Sequence, residues 1–392
     1  MVAAILRFLI VPLLILMVAS SPVSAEEGIT GDRLKIEAKL ALAERYIDNV
    51  YWESEDPKSD FVTTISPEVG ASYGLFEGAS LKLDYSGEFR AYVRSDNFGK
   101  DSHRVSLDGT WLLPGASKFS IGASAKYDSI QPWNEQGTYK PYTDTEGHAD
   151  FLLRTQTFTD LGFAYSRKAI QYKDKLYSRD DYIQQDVSAS ILYKRFDPTV
   201  LFVGYTFLVL DSHDAFEVAT GWQSHYLEVG LRWEPAVKLS GKLQVGYSLT
   251  RFEAGEQLSD YIVDTDLTYR LSEVLSLKIA GARYQGVSAI AAKEFGDYYV
   301  STSGRFSAEY RAWERLAVTL DFRYENRTFY REGALATEQQ TNWPLGAGLS
   351  VKYTPREWCS ISAGYWHTQT TSTIPSNENV TDFVDFKLSF AL

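Results

Sequence analysis

The chain has 392 residues and a formal net charge of −12, with 44% apolar, 23% charged and 14% aromatic residues. An acidic chain is poorly suited to neutralising phosphates, so nucleic acid is excluded as a partner. The single cysteine, Cys359, excludes an internal disulfide and the metal spacings built on cysteine pairs.

Met1 to Ala25 carries one basic residue, Arg7, an apolar run from Phe8 to Val18, and the small-x-small ending Val23-Ser24-Ala25. This pattern reads as a secretory signal peptide cut after Ala25, with an uncleaved anchor as the alternative. No later stretch reaches the roughly 18 consecutive apolar residues that a membrane-spanning helix needs. No Pro/Gly/Ser-rich linker interrupts residues 26–392, which read as one domain.

From Leu34 onward, apolar and polar residues alternate. Leu34, Ile36, Ala38 and Leu40 alternate with Lys35, Glu37 and Lys39. Leu81, Leu83, Tyr85 and Phe89 alternate with Lys82, Asp84 and Glu88, and Phe119, Ile121 and Ala123 with Ser120, Gly122 and Ser124. Leu316, Val318, Leu320 and Phe322 alternate with Ala317, Thr319 and Asp321. A period of two puts one set on each face of a strand. An apolar face toward lipid and a charged face toward a wet interior is the pattern of a membrane β-barrel strand.

Short connections with turn residues, such as Leu75–Gly78, Pro114–Ser117, Phe196–Pro198, Leu271–Glu273 and Thr354–Glu357, recur at roughly 40-residue intervals. Between them lie longer polar connections near 47–60, 94–102, 128–146, 170–181, 210–221, 253–260, 286–297, 329–342 and 370–379. Eight short turns and nine long loops predict about eighteen strands, within a range of 16 to 20. Val200–Val209 and Trp222–Trp233 alternate least clearly. The last strand is the clearest: Val384, Phe386, Leu388, Phe390 and Leu392 fall on one face, Asp385, Lys387 and Ser389 on the other. Closure of this strand onto the first would remove both open edges. The expected fold is therefore all-β, a transmembrane antiparallel barrel with short periplasmic turns and long extracellular loops. It would sit in the outer membrane of a Gram-negative bacterium, among outer-membrane lipid and lipopolysaccharide. The C-terminal strand would be the segment offered to the barrel assembly machinery.

Aromatic residues at strand ends are expected to form interfacial girdles: Tyr46, Tyr51, Trp52, Trp111, Tyr172, Trp233, Tyr269, Tyr330, Trp343, Tyr353 and Trp358. Catalytic signatures are weak, although a triad could be assembled from separate strands without a local motif. His103, His148, His213, His225 and His367 fall in no metal-ligand pair, and neither a G-x-S-x-G elbow nor a phosphate-binding glycine loop occurs. No cofactor and no enzymatic activity are expected. Arg305, Glu309, Asp321, Arg323, Glu325, Asp385 and Lys387 are the candidate lumen lining, read either as structural cross-strand pairs or as a polar track for a solute. Trp133, Tyr139 and Tyr142, in the loop predicted over 128–146, are candidate sugar contacts; the alternative is an ordinary outer loop.

The stretch Leu42-Ala-Glu-Arg-Tyr-Ile-Asp-Asn-Val-Tyr51, followed by Lys58-Ser-Asp-Phe-Val-Thr-Thr-Ile-Ser-Pro-Glu-Val69, resembles the β-barrel porin type 2 family. There an "ERYNDN" strand end precedes an "SDFITTISP" strand start; Ile47 departs from this pattern, as does the final Leu392, where an aromatic is usual. The resemblance implies an outer-membrane barrel linked to secretion of capsule or exopolysaccharide, with a periplasmic polysaccharide-export protein as partner, and it brings no catalytic residues. The alternative is a general or solute-specific porin for uptake of small hydrophilic solutes. An outer-membrane lipid hydrolase ranks third.

Overall fold

The alternation seen in the sequence becomes a wall with two chemistries. The computed structural model describes residues 29–30, 33–95, 101–130, 140–155, 157–173, 181–196, 198–212, 221–233, 238–253, 255, 257–287, 298–330 and 340–391. The expected signal peptide, residues 1–25, lies outside them. A two-residue strand, β1 (Ile29–Thr30), pairs with the first of eighteen long strands. These are β2 (Leu34–Ile47), β3 (Asp60–Phe76), β4 (Ala79–Tyr92), β5 (Asp101–Leu112), β6 (Lys118–Ile130), β7 (Lys140–Arg154), β8 (Thr159–Tyr172), β9 (Tyr182–Phe196) and β10 (Thr199–Ser212). They continue as β11 (Trp222–Trp233), β12 (Leu239–Phe252), β13 (Gln257–Arg270), β14 (Leu275–Val287), β15 (Tyr298–Trp313), β16 (Leu316–Tyr330), β17 (Gln340–Arg356), β18 (Cys359–Ser372) and β19 (Asn379–Ala391). Each pairs antiparallel with its neighbours in the chain, and β19 closes on β2 from Phe383↔Ile47 to Ala391↔Lys39. The result is a closed barrel, in which the first and last long strands pair with each other and leave no terminal edge open.

Facing follows parity. On β16, Leu320, Phe322 and Tyr324 are exposed on the outside, while Arg323 and Glu325 border the interior. On β19, Val384 and Phe386 lie outside and Asp385 and Lys387 inside. The same outward apolar series runs around the wall through Leu107, Ile121, Phe163, Val187, Val203 and Leu227. Prolines inside strands cost only local pairing, because they lack an N–H. The β16–β17 ladder, for example, skips from Tyr324↔Leu345 to Arg327↔Asn342 around Pro344.

All seventeen expected connections overlap gaps between long strands. The connection expected over 128–146 narrows the most: β6 runs to Ile130 and β7 begins at Lys140, so residues expected in the loop continue the wall. Polar residues on the inner parity, Asp128 and Asp144, gave this segment its loop-like look; each faces a lysine, Lys126 and Lys168 respectively.

One seam is incomplete. The β13–β14 ladder runs from Arg270↔Ser276 to Val263↔Arg283 and stops. Both strands continue past it, β13 still paired with β12 as far as Gln257, and β14 with β15 as far as Val287. Beyond the split the two sides overlap. Tyr330 shares the outward parity of Phe322 and Tyr324, yet it packs against Leu210, Trp222 and Phe252. Phe252 lies on the same face of β12 as the interior Lys242. Gln285 shares outward parity with Ile279, yet it accepts a hydrogen bond of 2.6 Å from Thr250 on the inner face of β12. Val300, on the outer parity of β15, is only 7% exposed. The long-loop ends of β14–β16 therefore lie inside those of β10–β13, as a flap folded into the mouth. Arg283 spans the split, 2.7 Å from Asp260 and with its guanidinium 4.4 Å from the Tyr261 ring centroid. This overlap explains the blurred alternation of β10: Leu208 and Leu210 occupy inner-parity positions that protein covers rather than water.

Three of the expected girdle residues turn inward instead. Trp52 borders the interior cavity, Tyr172 stacks on Tyr142 at 5.9 Å, and Tyr330 joins the flap contact. Tyr46, Tyr269, Tyr353 and Trp358 are exposed, as a girdle requires.

Candidate functional site

Inside the barrel, β2–β4 and β17–β19 face β12–β16 across a cavity of about 1310 Å³. Strand parity delivers its charges, and most of them are matched locally. Arg305 donates from Nε and Nη2 to Asp321, with the shortest contact 2.5 Å, and Arg323 Nε donates to the same carboxylate at 3.1 Å. Asp321 is 2% exposed, and two guanidinium groups are what make a buried carboxylate tolerable there. Lys242 pairs with Asp264, Lys278 with Asp266 at 3.0 Å, Arg90 with Glu88 at 2.6 Å, and Arg327 with Glu325 at 2.5 Å. The lysine pairs, exposed to water on both sides, contribute little stability each, about 0–1 kcal/mol. They set the local potential of the lumen instead.

The β16–β2 side is built differently. Arg45 lies 5.0 Å from the Phe383 ring centroid, Phe383 and Trp366 stack at 6.1 Å with 16° between planes, and Arg323 lies 4.8 Å from the Trp366 ring. The four side chains form one row, guanidinium, ring, ring, guanidinium, along the cavity wall. Glycine makes the row possible. Gly348 on β17 is the register partner of Trp366, and a Cβ there would meet the indole at 2.5 Å. Replacing Gly348 with valine is expected to displace Trp366 while leaving the barrel closed. Near-UV circular dichroism should lose the part of its tryptophan signal that comes from Trp366, with the far-UV strand spectrum unchanged; an unchanged near-UV spectrum would disprove this packing account.

Of the expected lining residues, Arg305, Arg323, Glu325, Asp385 and Lys387 border this cavity. Asp321 sits behind it as the buried partner of Arg305 and Arg323. Glu309 does not belong to it: it borders a separate cavity of about 800 Å³ at the short-turn end, 3.2 Å from Arg311. Trp133 and Tyr139 lie outside the described residues. Tyr142 is in β7 rather than a loop, 9% exposed, with Lys126 Nζ 5.9 Å from its ring. Trp366 and Phe383 were not among the expected site residues. Their signal was inner-parity placement beside Asp385 and Lys387, where an aromatic stands out.

Three of the four described histidines hydrogen-bond tyrosine or aspartate. His103 pairs with Tyr85 at 3.1 Å, His225 with Tyr205 at 2.7 Å, and His367 with Asp382 at 2.9 Å. His148 lies 3.6 Å from Asp108. Among the described residues no cluster of three His, Cys, Asp or Glu could hold a metal ion.

No protein-family model matches the chain, and no curated protein matches it. Solved structures do. Acinetobacter baumannii OccAB2 matches with TM-score 0.54 and 11% identity, over 93% of this chain and 99% of that one. Pseudomonas aeruginosa OccK2 (OpdF) matches with TM-score 0.53 and 14% identity, over 93% and 99%. Pseudomonas aeruginosa OpdK with vanillate matches with TM-score 0.52 and 13% identity, over 91% and 98%. The fold is that of an outer-membrane β-barrel. With its outward apolar band, the chain belongs in the outer membrane of a Gram-negative bacterium.

Proposed function

We propose that this barrel is a diffusion channel for uptake of small hydrophilic solutes. The observation that carries the reading is the water-accessible cavity of about 1310 Å³ inside a closed wall, bordered by charged side chains from both sides. A lumen of this polarity lowers the barrier for a hydrated solute and raises it for an apolar one. The similarity in fold to OccAB2, OccK2 and OpdK, the last solved with vanillate, supports the same direction. The flap at the long-loop mouth favours small solutes over a polymer. Exopolysaccharide export, implied by the motif resemblance, gains no support from any matching family model. The motif residues Asp48, Asn49 and Asp60 are also committed to holding the wall together.

Liposomes carrying the purified protein are expected to swell in monosaccharides and disaccharides and progressively less in larger sugars. Absence of swelling in every sugar, together with loss of surface polysaccharide from a strain lacking the chain, would overturn the proposal in favour of export.

A further inference from the structure

Charge matching in the lumen fails at one place. Arg45 and Lys387 have no ion-pair partner among the described residues, and both border the cavity. Asp385 is the register partner of Arg45 and shares its face, but it too forms no ion pair. Arg323 completes the strip, with only its Nε committed to Asp321. From β15 to β2, Arg45, Lys387, Arg305, Arg323 and Arg327 face three carboxylates, Asp321, Glu325 and Asp385. On the opposite wall Lys242 and Lys278 each have an acid to themselves, and on β4 Arg90 is matched by Glu88. The uncompensated positive charge is therefore concentrated from β16 to β2.

We propose that the Arg45–Phe383–Trp366–Arg323 row is a binding track for small organic carboxylates. This deepens the channel reading and rests on it. A guanidinium held against a ring keeps its N–H fork free for a carboxylate, and it loses less freedom on binding than an unsupported side chain would. The rings between the two forks offer apolar surface to the organic body of the same solute. With guanidinium-to-ring distances of 5.0 and 4.8 Å and a ring-to-ring distance of 6.1 Å, the solute passes from one fork to the other along a continuous surface. Two moderate sites in series suit conduction better than one tight site, since the solute must also leave. A neutral sugar has no group for the forks and passes without preference.

The test uses the full mature protein in planar bilayers under a potassium chloride gradient, with sodium benzoate as probe. The wild type is expected to prefer chloride over potassium, and millimolar benzoate should reduce its current. In an Arg45→Gln/Arg323→Gln variant the anion preference should fall about fivefold and the benzoate effect should be lost. Far-UV circular dichroism and the heat-dependent gel shift of a closed barrel show that the variant is folded. Cation preference in the wild type, or an unchanged benzoate effect in the variant, would overturn the carboxylate track. Failure of the channel reading itself would show separately, as no glucose swelling by the wild type.

Discussion

Replacing Asp60 with alanine is expected to destabilise the barrel by about 3 kcal/mol. Asp60 opens β3 and is 0% exposed. Its carboxylate accepts hydrogen bonds from the backbone N–H groups of Phe61 at 2.7 Å, Val93 at 3.1 Å, Arg94 at 3.1 Å and Ser95 at 2.8 Å. Val93, Arg94 and Ser95 follow the end of β4, where the only remaining ladder bond among the described residues is from Val93 N–H to Phe61 O at 3.1 Å, so the side chain holds the chain past the last strand pair. Hydrogen bonds to a charged acceptor contribute about 1.5–3 kcal/mol each in isolation, and removing the acceptor leaves buried donors unsatisfied. Asn49 acts similarly at the closing seam: its Nδ2 donates to Glu53 O at 2.8 Å and Val380 O at 3.1 Å. Asp60→Asn keeps one acceptor oxygen and should cost about half as much. The measurement is the midpoint of thermal unfolding in detergent, followed by far-UV circular dichroism. An Asp60→Ala protein that melts with the wild type would refute this role.

The barrel was largely legible in the sequence because lipid and water impose opposite demands on alternate residues of one strand. Wherever both demands act, as in Val384 to Phe390, parity alone tells inside from outside. Parity fails where protein replaces water on the inner face. Leu208 and Leu210 then look like a broken pattern, although their placement was itself the sign of a covering element. Aromatics at strand ends are ambiguous for a related reason. Tyr330 and Tyr353 are the same residue type near the same kind of boundary, and only the fold separates the buried flap contact from the exposed girdle. The charged row was half legible: Arg323, Asp385 and Lys387 announce an inner face. Their grouping with Arg45 depends on β19 meeting β2, a contact between residues at opposite ends of the chain, which no local pattern specifies. The split between β13 and β14 left a local signal of the kind seen at Leu208 and Leu210: around and past it Arg283 and Gln285 take the outward parity of Ile279, and Leu258 and Ile262 the inner parity of Asp264.

That split leads to the second large effect, on conductance. Releasing the flap with Tyr330→Ala and Gln285→Ala together is expected to raise single-channel conductance about twofold or more, as the population shifts toward an open mouth. Two arrangements compete. Folded in, the flap buries Tyr330 against Leu210, Trp222 and Phe252, a contribution of about 2 kcal/mol. It also gains the Thr250–Gln285 hydrogen bond, about 1 kcal/mol. Folded out, β14 beyond Arg283 could resume pairing with β13 before Val263, recovering backbone bonds worth about 1 kcal/mol each. The two states thus differ by a few side-chain contacts against a few ladder bonds, which is the balance a small perturbation can tip. Arg283 and Asp260 sit at the pivot and contact each other at 2.7 Å, so Arg283→Ala alone should loosen the flap without emptying its apolar seat. Planar-bilayer recordings would show the double variant with longer or larger openings than Arg283→Ala, and both above the wild type. Equal conductance in all three proteins would mean that the flap is a fixed part of the wall, and that the mouth is as wide as the folded-in arrangement leaves it.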